Sequence, residues 1–138
     1  MIETGLLDLQ IAIFQRLSQD PELMSRVTGV YDRVPEDTEY PYVTIGEPDV
    51  TPEETKTSYS ENIPWTLHAF TFDNGEGKAP AYKILNSMLM ALTRKRLTVP
   101  GYTLHQVKME SYRVFEDIDG ETHHAVLRVR FILQKTGG

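Results

Sequence analysis

Apolar and polar positions alternate most regularly in the last third of the chain, along Tyr102–Phe115 and His123–Gln134. Both runs are rich in Val, Tyr, Phe, Leu and Ile, and Glu116-Asp117-Ile118-Asp119-Gly120-Glu121 between them has turn chemistry. That pattern predicts a β-hairpin. A three-residue loop, Ile118-Asp119-Gly120, with Gly120 in the left-handed position of a bulged turn, fixes its register. Val107 then faces Phe131, Met109 faces Val129 and Ser111 faces Leu127 on one mostly apolar face. The other face carries Glu110 opposite Arg128 and Lys108 opposite Arg130, with Tyr112–Val126 and Leu104–Ile132 at its ends. A slip by one residue would turn every side chain to the wrong face.

Helical spacing governs two other stretches. Ile2, Leu6, Leu9, Ile13 and Leu17 predict a helix over Thr4–Ser18, and Leu7, Ile11 and Phe14 broaden its stripe beyond one buried side. Ala81, Ile84, Leu85, Met88 and Leu92 predict a second over Ala79–Arg96, with Arg94-Lys95-Arg96 in the last turn, where cations suit the helix dipole. Asp20-Pro21-Glu22 reads as cap, first-turn proline and dipole-favoured acid of a short helix Pro21–Val27, ended by Thr28-Gly29 with Gly29 past its C-terminus. Val30–Pro35 is a short extended piece, Pro41–Glu47 a strand, and Asn62–Asp73 a strand alternating Trp65, Leu67 and Ala69 with Thr66, His68 and Phe70. Pro64 places that strand at an edge or delays its start. Tyr40-Pro41 is a step at which a cis bond is possible. Pro48–Glu61 has no apolar periodicity and reads as a long flexible loop that orders on a partner. The expected fold is α+β: a mostly antiparallel four-stranded sheet, two amphipathic helices on one face, and a long C-terminal β-hairpin.

Composition narrows the function. The 138 residues are 40% apolar and 25% charged, the profile of one globular domain spanning 1–138. No apolar run approaches the ~18 residues of a membrane span, and the N-terminus lacks the positive region of a secretory signal. No cysteine is present, so disulfides, thiol nucleophiles and Cys-type zinc sites are excluded. The net charge of −6 argues against a nucleic-acid binder. Residues 1–62 hold 13 acidic and 4 basic side chains, and residues 63–138 hold 7 acidic and 10 basic. These halves can face each other within one fold, or an acidic surface on one copy can meet a basic one on the next.

Catalytic chemistry is not evident. Gly75-Glu76-Gly77-Lys78 is too short for a phosphate loop, and no Ser or Thr follows its lysine; it reads as a strand-to-helix turn. His123 and His124 are adjacent on a strand, so they point to opposite faces, and no metal is expected. Glu53-Glu54 and Glu36-Asp37 are solvated loop charge, and the serines lack a nucleophile-elbow context. Trp65 reads as a core anchor. No enzyme activity and no cofactor are expected.

An ordered set of landmarks then resembles the tail-completion, or tail-terminator, proteins of long-tailed bacteriophages and prophages. They are the helix Leu6–Leu17, Asp20-Pro21-Glu22-Leu23, Val30-Tyr31-Asp32-Arg33-Val34-Pro35, Tyr40-Pro41-Tyr42-Val43-Thr44-Ile45-Gly46-Glu47, Trp65–Phe70, Tyr112-Arg113-Val114-Phe115, Asp119-Gly120 and His124–Phe131. The resemblance implies an α+β structural protein that forms a hexameric ring at the head-proximal end of the tail tube, stops its polymerisation and joins tail to head. It implies partners as well: further copies of the chain, the major tail tube protein and a head-completion protein, with DNA only passing through the ring. Location in the virion tail, with assembly in the host cytoplasm and no membrane contact, follows. Residues expected at assembly contacts are Glu53, Glu54, Lys56 and Tyr59 in the long loop, and Lys108, Glu110, Arg128 and Arg130 on the outer hairpin face. The alternative from residues alone is a small α+β ligand-binding or enzyme domain of unknown substrate. A nucleic-acid-binding accessory role rests only on Arg94-Lys95-Arg96, which helix capping explains more simply.

Overall fold

The computed structural model describes residues 2–136. The elements run α1 (Leu6–Ser18), α2 (Pro21–Met24), β1 (Val30–Tyr31), β2 (Tyr42–Pro48), β3 (Thr51–Glu54), β4 (Tyr59–Phe72), α3 (Ala79–Thr93), β5 (Tyr102–Glu116) and β6 (Thr122–Lys135). The α+β class holds, but the described residues form six strands in one mixed sheet, not four in an antiparallel one. The order is β1-β2-β4-β6-β5, with β3 paired to β4 and β1 parallel to β2. The two unexpected strands have physical reasons. β1 is two residues long, too short to show a period. In β3 every side chain is exposed, so it has no buried face for alternation to mark. The stretch expected as a loop, 48–61, is therefore largely a second hairpin, in which Thr51–Glu54 pairs with Tyr59–Asn62 around a tight turn. Thr55 holds that turn, its amide donating to the Ser58 carbonyl at 2.9 Å.

β4 is central and crosses the whole sheet, which corrects the expectation for Pro64. Pro64 lies opposite Arg130 of β6, and its carbonyl accepts from Asp49 N at 2.9 Å, between the end of β2 and the start of β3. In an antiparallel strand a residue's N–H and C=O point the same way. The missing N–H of Pro64 thus falls at the break between β2 and β3, where the ladder already lapses. The Tyr40-Pro41 bond is cis.

The long hairpin forms, but its register shifts twice. Val107↔Phe131, Lys108↔Arg130 and Met109↔Val129 pair as expected. Irregularities at Leu104/Gln106 and Met109/Ser111 then put Leu104 opposite Leu133, Ser111 opposite Arg128 and Tyr112 opposite Leu127. The turn takes one residue more than expected: the Asp117 amide donates to the Thr122 carbonyl at 2.7 Å, with Gly120 at φ 72°. The irregularity at Met109/Ser111 absorbs that extra residue. Leu104 and Tyr112 consequently sit on the helix side of the sheet, not on the outer face.

All three helices pack on that side. Leu9, Ile13 and Leu17 of α1 and Ile84, Met88 and Leu92 of α3 close over Leu67, Ala69, Leu127, Val129 and Phe131, all buried, with Trp65 beside them. Both helices obtain their caps from elsewhere in the fold. Gly5 leads α1 without a side-chain cap, and its amide donates instead to Glu61 Oε1 of β4 at 2.8 Å. Glu61 is 1% exposed; its other oxygen accepts from Tyr59 Oη at 2.8 Å. A carboxylate at a helix N-terminus is stabilised by the helix dipole. Burial and this bond push the Tyr59 phenol up to about 12. α3 ends at Thr93, so Arg94 is its C-cap and Lys95 and Arg96 lie past the helix instead of in its last turn. The cation that reaches its terminal carbonyls is Arg16 of α1, donating to Ala91 O at 3.0 Å and also to Lys95 O. α2 is shorter than Pro21–Val27, stopping at Met24 with Ser25 as C-cap, so Gly29 is not its terminator. Gly29 instead leaves room for the Tyr31 ring, whose hydroxyl would lie 2.4 Å from an added Cβ.

Candidate functional site

The outer face of the sheet has no helix over it, and it divides into an aromatic half and a charged half. The aromatic half is a consequence of register. Tyr42 of β2 lies opposite Phe70 of β4, Phe70 opposite His124 of β6, and His124 opposite Phe115 of β5. Four rings therefore stand in one row across four strands, with successive centroids 5.3, 4.3 and 4.9 Å apart. Cross-strand aromatic pairs of this kind each contribute a few tenths to about 1 kcal/mol. Tyr40 extends the row beyond Tyr42, at 5.3 Å, and packs on Phe72 at 5.9 Å; both rings are largely exposed. At the far end the Arg113 guanidinium lies 4.9 Å above the Phe115 ring.

His68, two residues before Phe70 on the same face, brings a second imidazole to the row. Its Nδ1 is 2.8 Å from His124 Nε2, so one ring donates and the other accepts. The contact needs at least one neutral ring. Burial, then the neighbouring His68, holds the His124 pKa below the ordinary histidine value, with Arg113 adding to the effect and Asp117 opposing it. Glu47 stands on the other side of His68, its carboxylate 3.7 Å from Nε2. Gly46 makes the space: an added Cβ would lie 2.5 Å from Thr66 O and 2.8 Å from the His68 ring. Asp32, Tyr42, Thr44, Glu47, His68 and Phe70 line a shallow concavity of about 600 Å³ here. His123, as its neighbour's opposite, points to the helix side and meets Asp73 at 3.2 Å. Among the described residues no group of three His, Asp or Glu side chains is placed to hold a metal ion.

The charged half gathers four of the expected contact residues. Glu110 is 2.9 Å from Arg130 and 3.6 Å from Arg128, and Lys108 lies opposite Arg130. The Arg130 hydrogen bond is the largest influence holding the Glu110 carboxyl below the usual range. Arg130 also donates to Asn62 Oδ1 at 3.2 Å. Glu53, Glu54 and Lys56 are exposed on the projecting β3–β4 hairpin, while Tyr59 is buried against Glu61 and joins neither group.

On the far side of the molecule, α1 turns a second apolar stripe to solvent. Leu9, Ile13 and Leu17 are fully buried, yet Leu7 is 66% exposed, Ile11 44% and Phe14 40%. The breadth of the helical pattern signalled this stripe. The aromatic row gave no comparable signal, because Tyr42, Phe70, His124 and Phe115 become neighbours only through strand pairing.

A family model described as tail completion protein gp17 matches residues 11–134. The tail completion protein gp17 of Bacillus phage SPP1 is 38% identical over 78 residues, a match spanning 56% of this chain and 56% of that protein's length. The solved structure of the bacteriophage SPP1 gp17 protein superposes with a TM-score of 0.68 at 36% identity, over 96% of this chain and 95% of the other. A chain of the native gene transfer agent virion shares the fold more fully, with a TM-score of 0.86 at 23% identity over 96% of this chain and 99% of that one.

Proposed function

From the premise that the chain belongs to the gp17 tail completion family of structural phage tail proteins, we propose that it forms a hexameric ring closing the head-proximal end of a tail tube. The ring stops tube polymerisation and presents a surface to a head-completion protein, and DNA passes through its centre without sequence-specific contact. The observation that carries this reading is the family match over residues 11–134, nearly the whole folded domain. Opposite-signed halves and two uncovered apolar surfaces on one small domain support it, since a head-to-tail ring needs two different, complementary patches on each subunit.

Assembly contacts in this reading fall on the β3–β4 hairpin, through Glu53, Glu54 and Lys56, and on the outer sheet face, through Lys108, Glu110, Arg128 and Arg130. Tyr59 contributes from inside: it closes the turn end of that hairpin opposite Glu54, and its hydroxyl donates to buried Glu61. A net charge of −6 suits a channel that DNA must traverse without being gripped. The test is negative-stain microscopy and sedimentation of the protein alone and mixed with tail tubes of its own phage. Rings on one tube end are the expected result; a strict monomer under both conditions overturns the proposal.

A further inference from the structure

We infer that His68 and His124 form an acid-released lock on the outer sheet face, closed while the two rings together carry at most one charge and opened when both are charged. The inference goes beyond the ring reading and does not rest on it. The two side chains stand on a diagonal of the β4–β6 pair, where His68 faces Val126 and Phe70 faces His124. Their nitrogens are 2.8 Å apart and their ring centroids 5.0 Å apart, so the imidazoles meet nearly head-on. A metal ion between two facing nitrogens would need a gap of about 4 Å, at ~2.0–2.1 Å to each. This gap admits a proton alone: one nitrogen carries it and the other accepts.

The two rings differ in freedom. His124 is stacked between Phe70, at 4.3 Å, and Phe115, at 4.9 Å. Besides His124, His68 meets Phe70 at the longer distance of 6.2 Å and the exposed Glu47 carboxylate, 3.7 Å from its Nε2. A first proton fits the closed form: His68 carries the charge on its Glu47 side, and its Nδ1–H donates to a neutral His124. A second proton sets two N–H groups against each other at the same short distance, and the contact loses its acceptor. His68 is then the ring free to swing, toward Glu47 and away from the wall of the concavity that both imidazoles line.

Charges on every neighbouring element bear on that second proton. Glu47 and Asp32, which line the same concavity, and Asp117 in the β5–β6 turn favour it. Arg113, opposite Val126 on β5, opposes it, as does Arg128 on the other diagonal from His68, although Glu110 stands 3.6 Å from that guanidinium. Tyr42 stays neutral throughout, its phenol pKa raised by burial. Burial of His124 is the largest influence on that ring and also opposes its charging, so the lock opens below the ordinary histidine value.

NMR titration of the imidazole nitrogens in the whole chain tests the lock. The pair is expected to titrate in two coupled steps separated by more than about one pH unit, with contacts between the two rings lost at the second. His124→Phe keeps an aromatic ring between Phe70 and Phe115, and His68 is then expected to titrate in one step. His68→Gln is the reciprocal variant, in which His124 titrates in one step at higher pH than the wild-type second step; either variant suffices if the other fails to fold. Independent single-site curves for the two wild-type histidines overturn the lock. So does a remaining histidine whose curve is unchanged by loss of its neighbour, or a ring contact that persists below the second step.

Discussion

Glu61 shows how much one residue can carry in this fold. Fully buried, it accepts from the Gly5 amide and the Tyr59 hydroxyl, tying the start of α1 to the second hairpin. Glu61→Ala leaves both donors unpaired, so urea denaturation should register a loss of about 1–3 kcal/mol. Gly46→Ala should destabilise by a similar amount, about 1–3 kcal/mol, because the clash is with the Thr66 carbonyl and backbone must shift to relieve it. His124 makes a prediction about pH. Its folded pKa lies below the ordinary 6.5, so the unfolded chain takes up the proton first. Stability should therefore be level above that value and fall as pH drops below it, until the folded form also titrates. Melting temperature followed against pH tests this, with His124→Gln removing the step. Glu110, Asp73 and Asp119, whose pKa values are lowered, add a separate loss at pH values below the ordinary carboxylate range.

Among the elements, the long hairpin is the most informative. Gly120 sits at φ 72°, and a Cβ there would meet only Glu116 Oε1, at an ordinary 3.6 Å. Gly120→Ala therefore suffers from backbone conformation alone, and chemical denaturation should show a cost of about 1–2 kcal/mol. Alternation located both strands and the glycine of their turn. It could not locate the two register shifts, because both lie in β5, an edge strand whose residues are mostly at least partly exposed whichever way they face. The β3–β4 hairpin escaped for a related reason: four exposed residues can form a strand without any hydrophobic pattern. Its pairing depends on β4 continuing past β2, which is a property of neighbours.

For the whole molecule, the charged half of the sheet face makes a prediction of its own. Arg128 and Arg130 are partly exposed and shared with a single Glu110. Replacing both with Gln should change folding stability by less than about 1 kcal/mol, as for other solvent-exposed ion pairs. If the outer face meets neighbours in a ring, the same variant should assemble poorly on tail tubes by microscopy; normal assembly would make these arginines ordinary surface charge. Rising ionic strength should weaken wild-type assembly too, since opposite charges at the rims are screened once the Debye length falls below about 8 Å.

Local information in the chain determined the α+β class, the helices α1 and α3, the Asp20 cap of α2, the core positions of β4 and β6, and the tail-completion resemblance that the family match bears out. Each of these is written in the period of apolar residues or in short-range chemistry, because a helix or half-buried strand repeats its burial every few residues. Only the tertiary structure decided the rest. Glu61 and Arg16 act on helix ends 56 and 75 residues away in sequence, and Tyr42, Phe70, His124 and Phe115 form a row only once four strands are aligned. Burial of a side chain is a property its own segment can signal; which distant side chain becomes its neighbour is set by pairing and register, and no single segment contains that.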